Sequence, residues 1–510
     1  MKRLSVLWLT VLAGGCATVT PSDPGTGGTG GTGGMTGTGG TAATGGMGGE
    51  PSINSARLES LVVKVGSRVM VVFDPDTLEY DLDVGQLARR LDVEVVPEDP
   101  DATVDVAWRG LGVSLVDQLD VSAGVGTLQV DVTSSEGDEN RTYAVSVTRR
   151  DALVETDSVE GDFGDSVAAN QDTMVSGRWG LPNGGVARVF RRGSGGWADE
   201  ATLEADDTAP GIRFGEEVEI DGDSVFVGAP SAPVSEDIGT GAVYVFDRTG
   251  STWRQVDKIQ APEASVPRFG DQIAASGDTL VVGASGAESS LGAAYVFVRT
   301  DDDWVFEQEL GPTNGGDASD FFGAAVAIDG DTILIGAPGE DTGQSGSGAV
   351  YSFERTGSVW TGAIVKPDTP ISSESFGSAV AIDGDQFVAG ALGASDGGID
   401  SRGAAYFFSR AGGDWSQERR VVASSPMELD YLGEAVDIQG DVAAVTATST
   451  DFGNARTLIF VRAGTNFWRE DYSLRPEDVT DELFFEMLDA VIEGDTLFLP
   501  WRTEGVAIVE

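Results

Sequence analysis

The sequence predicts an all-β protein: a seven-bladed β-propeller preceded by a small β-sandwich domain and a Gly/Thr-rich linker. Three observations carry this. A unit of fifty-odd residues recurs seven times from residue 163 to the end of the chain. Each unit alternates short apolar strands with Gly-Asp turns. The residues just before the repeats show period-two alternation and no helical spacing.

The repeats open FGDSVAANQD, FGEEVEIDGD, FGDQIAASGD, FGAAVAIDGD, FGSAVAIDGD, LGEAVDIQGD and FEMLDAVIEGD. Their turn aspartates are Asp172, Asp223, Asp278, Asp331, Asp385, Asp441 and Asp495, spaced 51 to 56 residues apart. A second strand follows and ends in Gly-Ala-Pro or a relative. Then come a variable loop, a third strand of the form Gly-Ala-Val-Tyr-Val-Phe-x-Arg, a short turn and a Trp. Four short strands in about fifty residues is the size of a propeller blade. A lone four-stranded sheet cannot bury both faces, whereas blades stacked round an axis bury one another. Trp197, Trp253, Trp304, Trp360, Trp415 and Trp468, with the Phe and Tyr of strand three, are expected to fill the gaps between blades. Arg192, Arg248, Arg299, Arg355, Arg410 and Arg462 each follow a Phe by two places and read as structural ion-pair partners. The Gly-Ala pairs are expected where blades crowd near the axis.

The seventh repeat has three strands and then the chain stops. Ahead of the first repeat lies an orphan strand, Ala152 to Val159. Residues 151–160 are therefore expected to complete blade seven and remove the free edge. The propeller is assigned to residues 151–510.

Residues 53–150 hold alternating runs at Leu58–Val63, Val69–Phe73, Val93–Val96, Val104–Trp108, Leu128–Val132 and Tyr143–Val147, with turn chemistry at Asp74-Pro75-Asp76 and Glu136-Gly137-Asp138. That is sandwich size. Residues 16–52 are dominated by Gly and Thr and can form no core, so they read as a flexible tether reaching roughly 30–36 Å. Lys2 and Arg3 precede an apolar stretch of ten residues, Leu4 to Ala13, half the length needed to span a bilayer. Residues 1–15 read as a signal peptide.

Composition excludes much chemistry. The 510 residues include no His and one Cys, and 83 Asp plus Glu against 32 Lys plus Arg give a formal charge of −51. Histidine-dependent triads and dyads, His-ligated metals and an intramolecular disulfide are all ruled out. So acidic a surface repels nucleic acid and anionic lipid.

Three resemblances follow from these motifs. Ala13-Gly14-Gly15-Cys16 is similar to a bacterial lipoprotein signal, which implies lipidation at Cys16, the only Cys, and residence in the bacterial cell envelope, at the outer membrane or cell surface. The run VVFDPDTLEYDLDV, then TVDVAWRG, then TLQVDVTSSEGDENRTYAVSVTRR resembles the cadherin-like β-sandwich of bacterial surface proteins, usually a spacer or adhesive module. FG…AVAIDGDTILIGAP…GAVYSF resembles the FG-GAP repeat, the blade unit of the integrin alpha-chain propeller. This implies a binding or adhesion head, and some members carry calcium between strands one and two. Here those turns are short, as at Ile220-Asp221-Gly222-Asp223. Two carboxylates on a tight hairpin fall short of the six to eight oxygens that calcium takes. No metal and no cofactor is expected, with calcium the less favoured alternative.

The turns between strands one and two and between three and four are short and uniform. The loops between strands two and three and between four and one are long and varied, and they share the opposite face. That face reads as the binding face. Its acidic candidates are Glu236, Asp237, Glu340, Asp341, Asp396 and Asp400. The reading is an anchored, non-catalytic binding or adhesion protein whose partner is an extracellular protein or polysaccharide, with the membrane met through the N-terminal lipid only and no nucleic acid. The alternatives are a carboxylate-based glycosidase and a purely structural surface protein. No repeat shows a local cluster that breaks the pattern as a grafted active site would.

Overall fold

The computed structural model describes residues 7–10, 17–19, 55–65, 68–69, 73–84, 92–110, 125–149, 155–160, 164–193, 196–233, 240–263, 266–301, 303–395, 399–425, 429–448, 455–462, 467–474, 489–494, 496–501 and 505–509. The chain forms two compact units that divide near residue 151. The described residues are strands apart from one short helix, Ala287–Ser290, and no helix among them is long and apolar enough to cross a membrane.

The first unit has two sheets. One orders Leu7–Thr10, Asp92–Pro97, Leu58–Val65 and Arg68–Val69; the other orders Ala17–Val19, Thr103–Gly110, Val125–Thr133, Asn140–Arg149 and Glu79–Val84. Alternate residues point inward. Leu128, Val130 and Val132 are buried with Leu58, Leu61, Val63, Tyr143 and Val145, as period two requires. The buried Tyr143 hydroxyl accepts from the Leu58 amide at 3.1 Å and donates to the Pro75 carbonyl at 3.2 Å. Glu79–Val84 is a strand that the list of alternating runs omits. It pairs in parallel with Asn140–Arg149, a partner sixty residues away that local alternation cannot reveal.

The second unit contains seven four-stranded antiparallel sheets. Strand one of the blades is, in order, Ser166–Asn170, Val218–Asp221, Gln272–Ser276, Ala325–Asp329, Phe376–Asp383, Leu432–Gln439 and Val491–Glu493. Each lies beside strand one of the next blade, round all seven and back to the first. The seventh sheet runs Glu155–Glu160, Gly505–Val509, Thr496–Trp501, Val491–Glu493. Its outer strand comes from before the first repeat, with Val159 opposite Val506 and Ser158 opposite Ala507.

The apolar residues gather in seven clusters, each between two neighbouring blades. The aromatics sit in these gaps. Trp304 meets Phe226 of the preceding blade edge-on at 5.3 Å, Trp468 stacks on Phe407 at 4.1 Å, and Trp197 closes the ring against Phe498 at 5.4 Å. Burying rings of this size on both sides of every blade is the main cohesive term.

The recurring Arg and Trp form one polar device between blades. Arg355 pairs with Glu307 of the preceding blade at 3.3 Å, donates to Thr279 at 3.1 Å and lies over its own Trp360 ring at 5.5 Å. Trp360 Nε1 donates to the other oxygen of Glu307 at 2.9 Å. Arg410 likewise reaches back to Glu354 and Thr332, Arg299 to Asp247 and Ser224, and Arg462 to Glu418. Partly buried arginines held by several partners fix geometry better than exposed ones.

The recurring glycines interlock blades too. At Gly336, next to the end of strand two of blade four (Thr332–Ala337), an added Cβ would lie 2.0 Å from the Gly377 carbonyl oxygen of blade five. Gly377 has φ +88°, in the left-handed region. The glycine of one blade's second strand thus receives the backbone of the next blade's opening, between neighbouring sheets.

Candidate functional site

The turn aspartates already have work. Asp221 accepts a hydrogen bond from the Gly277 amide of the next blade's turn at 2.5 Å, Asp329 from Gly384 at 2.6 Å and Asp383 from Gly440 at 2.5 Å. Glu493 of blade seven reaches Gln171 of blade one at 3.2 Å. The second turn carboxylate serves the blade's own Arg, as in Arg410 Nε to Asp385 at 2.7 Å and Arg248 Nε to Asp223 at 2.8 Å. One face of the disc is therefore stitched turn to turn by carboxylates.

On the opposite face the long loops are zipped to the next blade by backbone hydrogen bonds. Phe376 N donates to Ser347 O, Ser375 N to Gly346 O and Ser373 N to Ser345 O; Leu432, Tyr431 and Leu429 repeat this with Arg402, Ser401 and Asp400. The residue before each blade's opening Phe or Leu is left-handed at Arg213, Arg268, Phe321, Ser375 and Tyr431, a strained turn that recurs because this zipper demands it.

The six candidate acids fall as follows. Glu340 is buried: its two carboxylate oxygens accept from Asn314 Nδ2 and from the Tyr351 hydroxyl, both at 2.9 Å. Asp341 is exposed and closes its own loop by accepting from Gly346 N at 2.6 Å. Asp400 is exposed, and its carbonyl accepts from Leu429 N. Glu236, Asp237, Asp396 and Cys16 lie outside the described residues.

The structure gathers a different set of acids. A cavity of about 570 Å³ runs along the axis, lined by strand one of all seven blades. Its charged lining residues are Asp165, Glu217, Glu219, Glu434, Asp437 and Asp489, and no Lys or Arg is among the lining residues. Single residues, and no local cluster within one repeat, depart from the pattern here. The opening motif reads FG-x-x-V-x-I. At its last variable place blades one, three, four and five carry Ala168, Ala274, Ala327 and Ala381, while blades two and six carry Glu219 and Asp437. Two places earlier stand Glu217 and Asp489 in blades two and seven. The signal was present as an Ala-to-acid departure. It was invisible as a cluster because the acids of blade two lie more than two hundred residues from those of blades six and seven.

Their electrostatics follow from enclosure. Burial, opposed by the Ile220 amide at 2.8 Å and reinforced by Asp221, Asp437 and Asp489, raises Glu219 to about 8. Burial raises Asp437 to about 7 even though it accepts from Ile492 N at 2.6 Å and Ile438 N at 2.8 Å, with Asp489 and Glu493 adding to the rise. Burial also raises Asp489, against hydrogen bonds from Ala490 N and Val167 N. Glu217 lies well above the usual carboxylate range, through burial first and then Asp489 and Glu219. Near the mouth, Asp165 is neutralised by Arg178 at 3.1 Å, and Glu216 and Asp271 by Arg213 and Arg268. Deeper in, the carboxylates have only one another and backbone amides.

The comparisons agree with this architecture. The FG-GAP repeat family model matches residues 197–246, 253–297, 304–353 and 367–408, and the cadherin-like beta sandwich domain model matches residues 58–150. Residues 197–408 thus carry FG-GAP repeats and residues 58–150 a cadherin-like β-sandwich domain. Both are domains of the repeat and adhesion type. No curated protein matches it. Among solved structures it is similar to a putative 6-phosphogluconolactonase from Bacteroides uniformis, 11% identical with a TM-score of 0.42, covering 70% of this chain and 94% of that one. A second, from Bacteroides fragilis, is 10% identical with a TM-score of 0.41, covering 70% and 92%.

Proposed function

We propose that this chain is a lipid-anchored, extracytoplasmic binding protein of the bacterial envelope that presents its propeller to an extracellular protein or polysaccharide and performs no catalysis. The observation that carries the reading is the pairing of a cadherin-like module with an FG-GAP propeller in one chain. The order of segments supports it: an N-terminal address ending at Cys16, a Gly/Thr tether, a spacer and then a head. The long-loop face supports it as well. Inter-blade hydrogen bonds order the described loops on this face, so a partner meets a preformed surface there and little ordering entropy opposes docking.

The test is fractionation followed by capture. Full chain should remain with membranes, and Cys16→Ser should release it to the soluble fraction. Purified full chain should bind a subset of an extracellular glycan and matrix-protein panel and hydrolyse none of it. Binding that survives scrambling of the exposed loop residues 341–346, or turnover of any glycan, overturns the reading.

A further inference from the structure

The strand that closes the propeller is also the point where the N-terminal side of the chain pulls on it. Glu155–Glu160 lies outermost in the seventh sheet and is paired on one side, with Gly505–Val509. Five residues separate it from Arg149, the last residue of the sandwich strand Asn140–Arg149. The covalent chain reaches the blades by this route, so tension carried along it arrives at Glu155 first.

The neighbouring elements decide what yields. Asn140–Arg149 is held on both edges, by Val125–Thr133 and by Glu79–Val84. Beyond the closing strand, blade one takes hold at Gly164, where the Gly164 and Asp165 amides donate to the Gly177 carbonyl at 3.1 and 3.0 Å. Ser166–Asn170 is then paired along its whole length with the second strand of the blade. Between these firm elements stands one six-residue strand with a single row of partners. Its register is irregular between Glu155 and Asp157, at the end where load arrives. An edge strand pulled from its end loses its hydrogen bonds one after another, whereas an element held on both edges must lose several together.

Other contacts keep the joint between blades seven and one in register. Trp197 meets Phe498 at 5.4 Å, the Asp489 carboxylate accepts from the Val167 amide at 3.4 Å, and Val167, Phe190, Val506 and Ile508 share an apolar cluster. None of these contacts needs residues 155–160, so Gly505–Val509 stays in place to receive the strand again.

We propose that Glu155–Glu160 is a tension-operated latch. Pull between the N-terminal side and the propeller peels it from Gly505–Val509, beginning at Glu155 and stopping at Gly164. Release bares one backbone edge, a surface to which a further strand can add, and leaves the other strands of all seven blades paired. When the tension falls, the strand re-pairs. The source of the tension, an anchored N-terminus and a partner-bound head, rests on the proposed function; the mechanical response does not.

The experiment stretches single molecules of the full chain, carrying Cys16→Ser, between peptide handles inserted after Ser52 and in the exposed blade-four turn at Gly357. Nine residues separate Glu155 from Gly164. The first step should therefore be reversible and no longer than ~30 Å, at ~3.3–3.6 Å per residue. If the sandwich or a whole blade yielded first, the step would be roughly 300 Å or roughly 170 Å on the same scale. Ser158 and Ala507 are register partners, and cross-strand Cα separations of ~4.5–5.5 Å fall within disulfide reach. In Ser158→Cys with Ala507→Cys, oxidation should abolish the short step and reductant should restore it in the same molecule, which a folding defect cannot imitate. The step length in the parent molecule needs no disulfide. A first step of roughly 170 Å or more, the absence of a short reversible step, or a short step that survives oxidation overturns the latch. Membrane fractionation of the Cys16→Ser chain tests the anchor separately, so either reading can fail without the other.

Discussion

Strand one of blade four and strand one of blade two have the same backbone, register and neighbours, and they face the same channel. Ala325 and Ala327 stand in the first where Glu217 and Glu219 stand in the second. The shared residues of the two strands serve the fold: the opening Phe-Gly, the central Val and the Asp-Gly turn all contact adjacent blades. The residues that differ oppose folding when ionised, since burial and neighbouring carboxylates raise their pKa values. In a repeat protein the consensus describes how units stack, and departures mark where the chain spends stability on something else.

Perturbing the shared scaffold should have the largest effect. Gly336→Ala places a Cβ 2.0 Å from a backbone oxygen of blade five, and backbone cannot step aside as a side chain can. It should cost about 3 kcal/mol or more, measured by denaturant unfolding, and a loss under ~1 kcal/mol contradicts the inter-blade interlock. Deleting residues 152–160 removes the partner of Gly505–Val509 and exposes a strand edge. The melting temperature should fall on the order of 5 °C or more, and an unchanged melt argues against strand donation as the closure.

Changing the departures should act in the opposite direction. Glu219 and Asp437 have folded-state values of about 8 and about 7, above the ordinary 4.5 and 3.8. The folded state then holds more protons than the unfolded chain between those limits, so stability falls as pH rises from about 4 to about 8. Glu219→Gln with Asp437→Asn should flatten that decline and raise the melting temperature at pH 8, with little change at pH 4. A wild-type melt that rises steadily from pH 5 to 8, unaltered in the variant, contradicts an acidic, desolvated lumen.

Smaller effects probe the stitched face. Asp329→Ala removes the acceptor of one turn-to-turn hydrogen bond, from Gly384 at 2.6 Å. The loss should be about 1 kcal/mol, and equilibrium unfolding resolves it. Chelator should shift the melt least, by under ~1 °C, because hydrogen bonds already occupy the turn carboxylates. A drop of tens of degrees would show that these turns depend on calcium.

Much of this was legible in the residues. The period of the turn aspartates and the missing last strand pointed to seven blades and a borrowed strand, and the recurring Arg read as an ion-pair partner. The parallel strand Glu79–Val84 and the burial of Glu340 were not legible. The first depends on a partner sixty residues away. Glu340 sits in a loop, where exposure is the usual expectation; it is buried because Tyr351 and Asn314 supply its hydrogen bonds. The site went unread for a related reason. Single acids at positions 217, 219, 437 and 489 are unremarkable among 83 until ring closure brings strand one of the second, sixth and seventh blades to one channel.

The sequence by itself determined what depends on local periodicity and near repetition: strand alternation, turn chemistry, the number of blades and the absence of histidine chemistry. Only the tertiary structure decided which carboxylates meet. Convergence on an axis is a property of the closed ring, because strand one of every blade faces the same lumen however far apart the blades lie along the chain. Burial then does what sequence cannot show, holding protons on acids that would be ionised in an open chain.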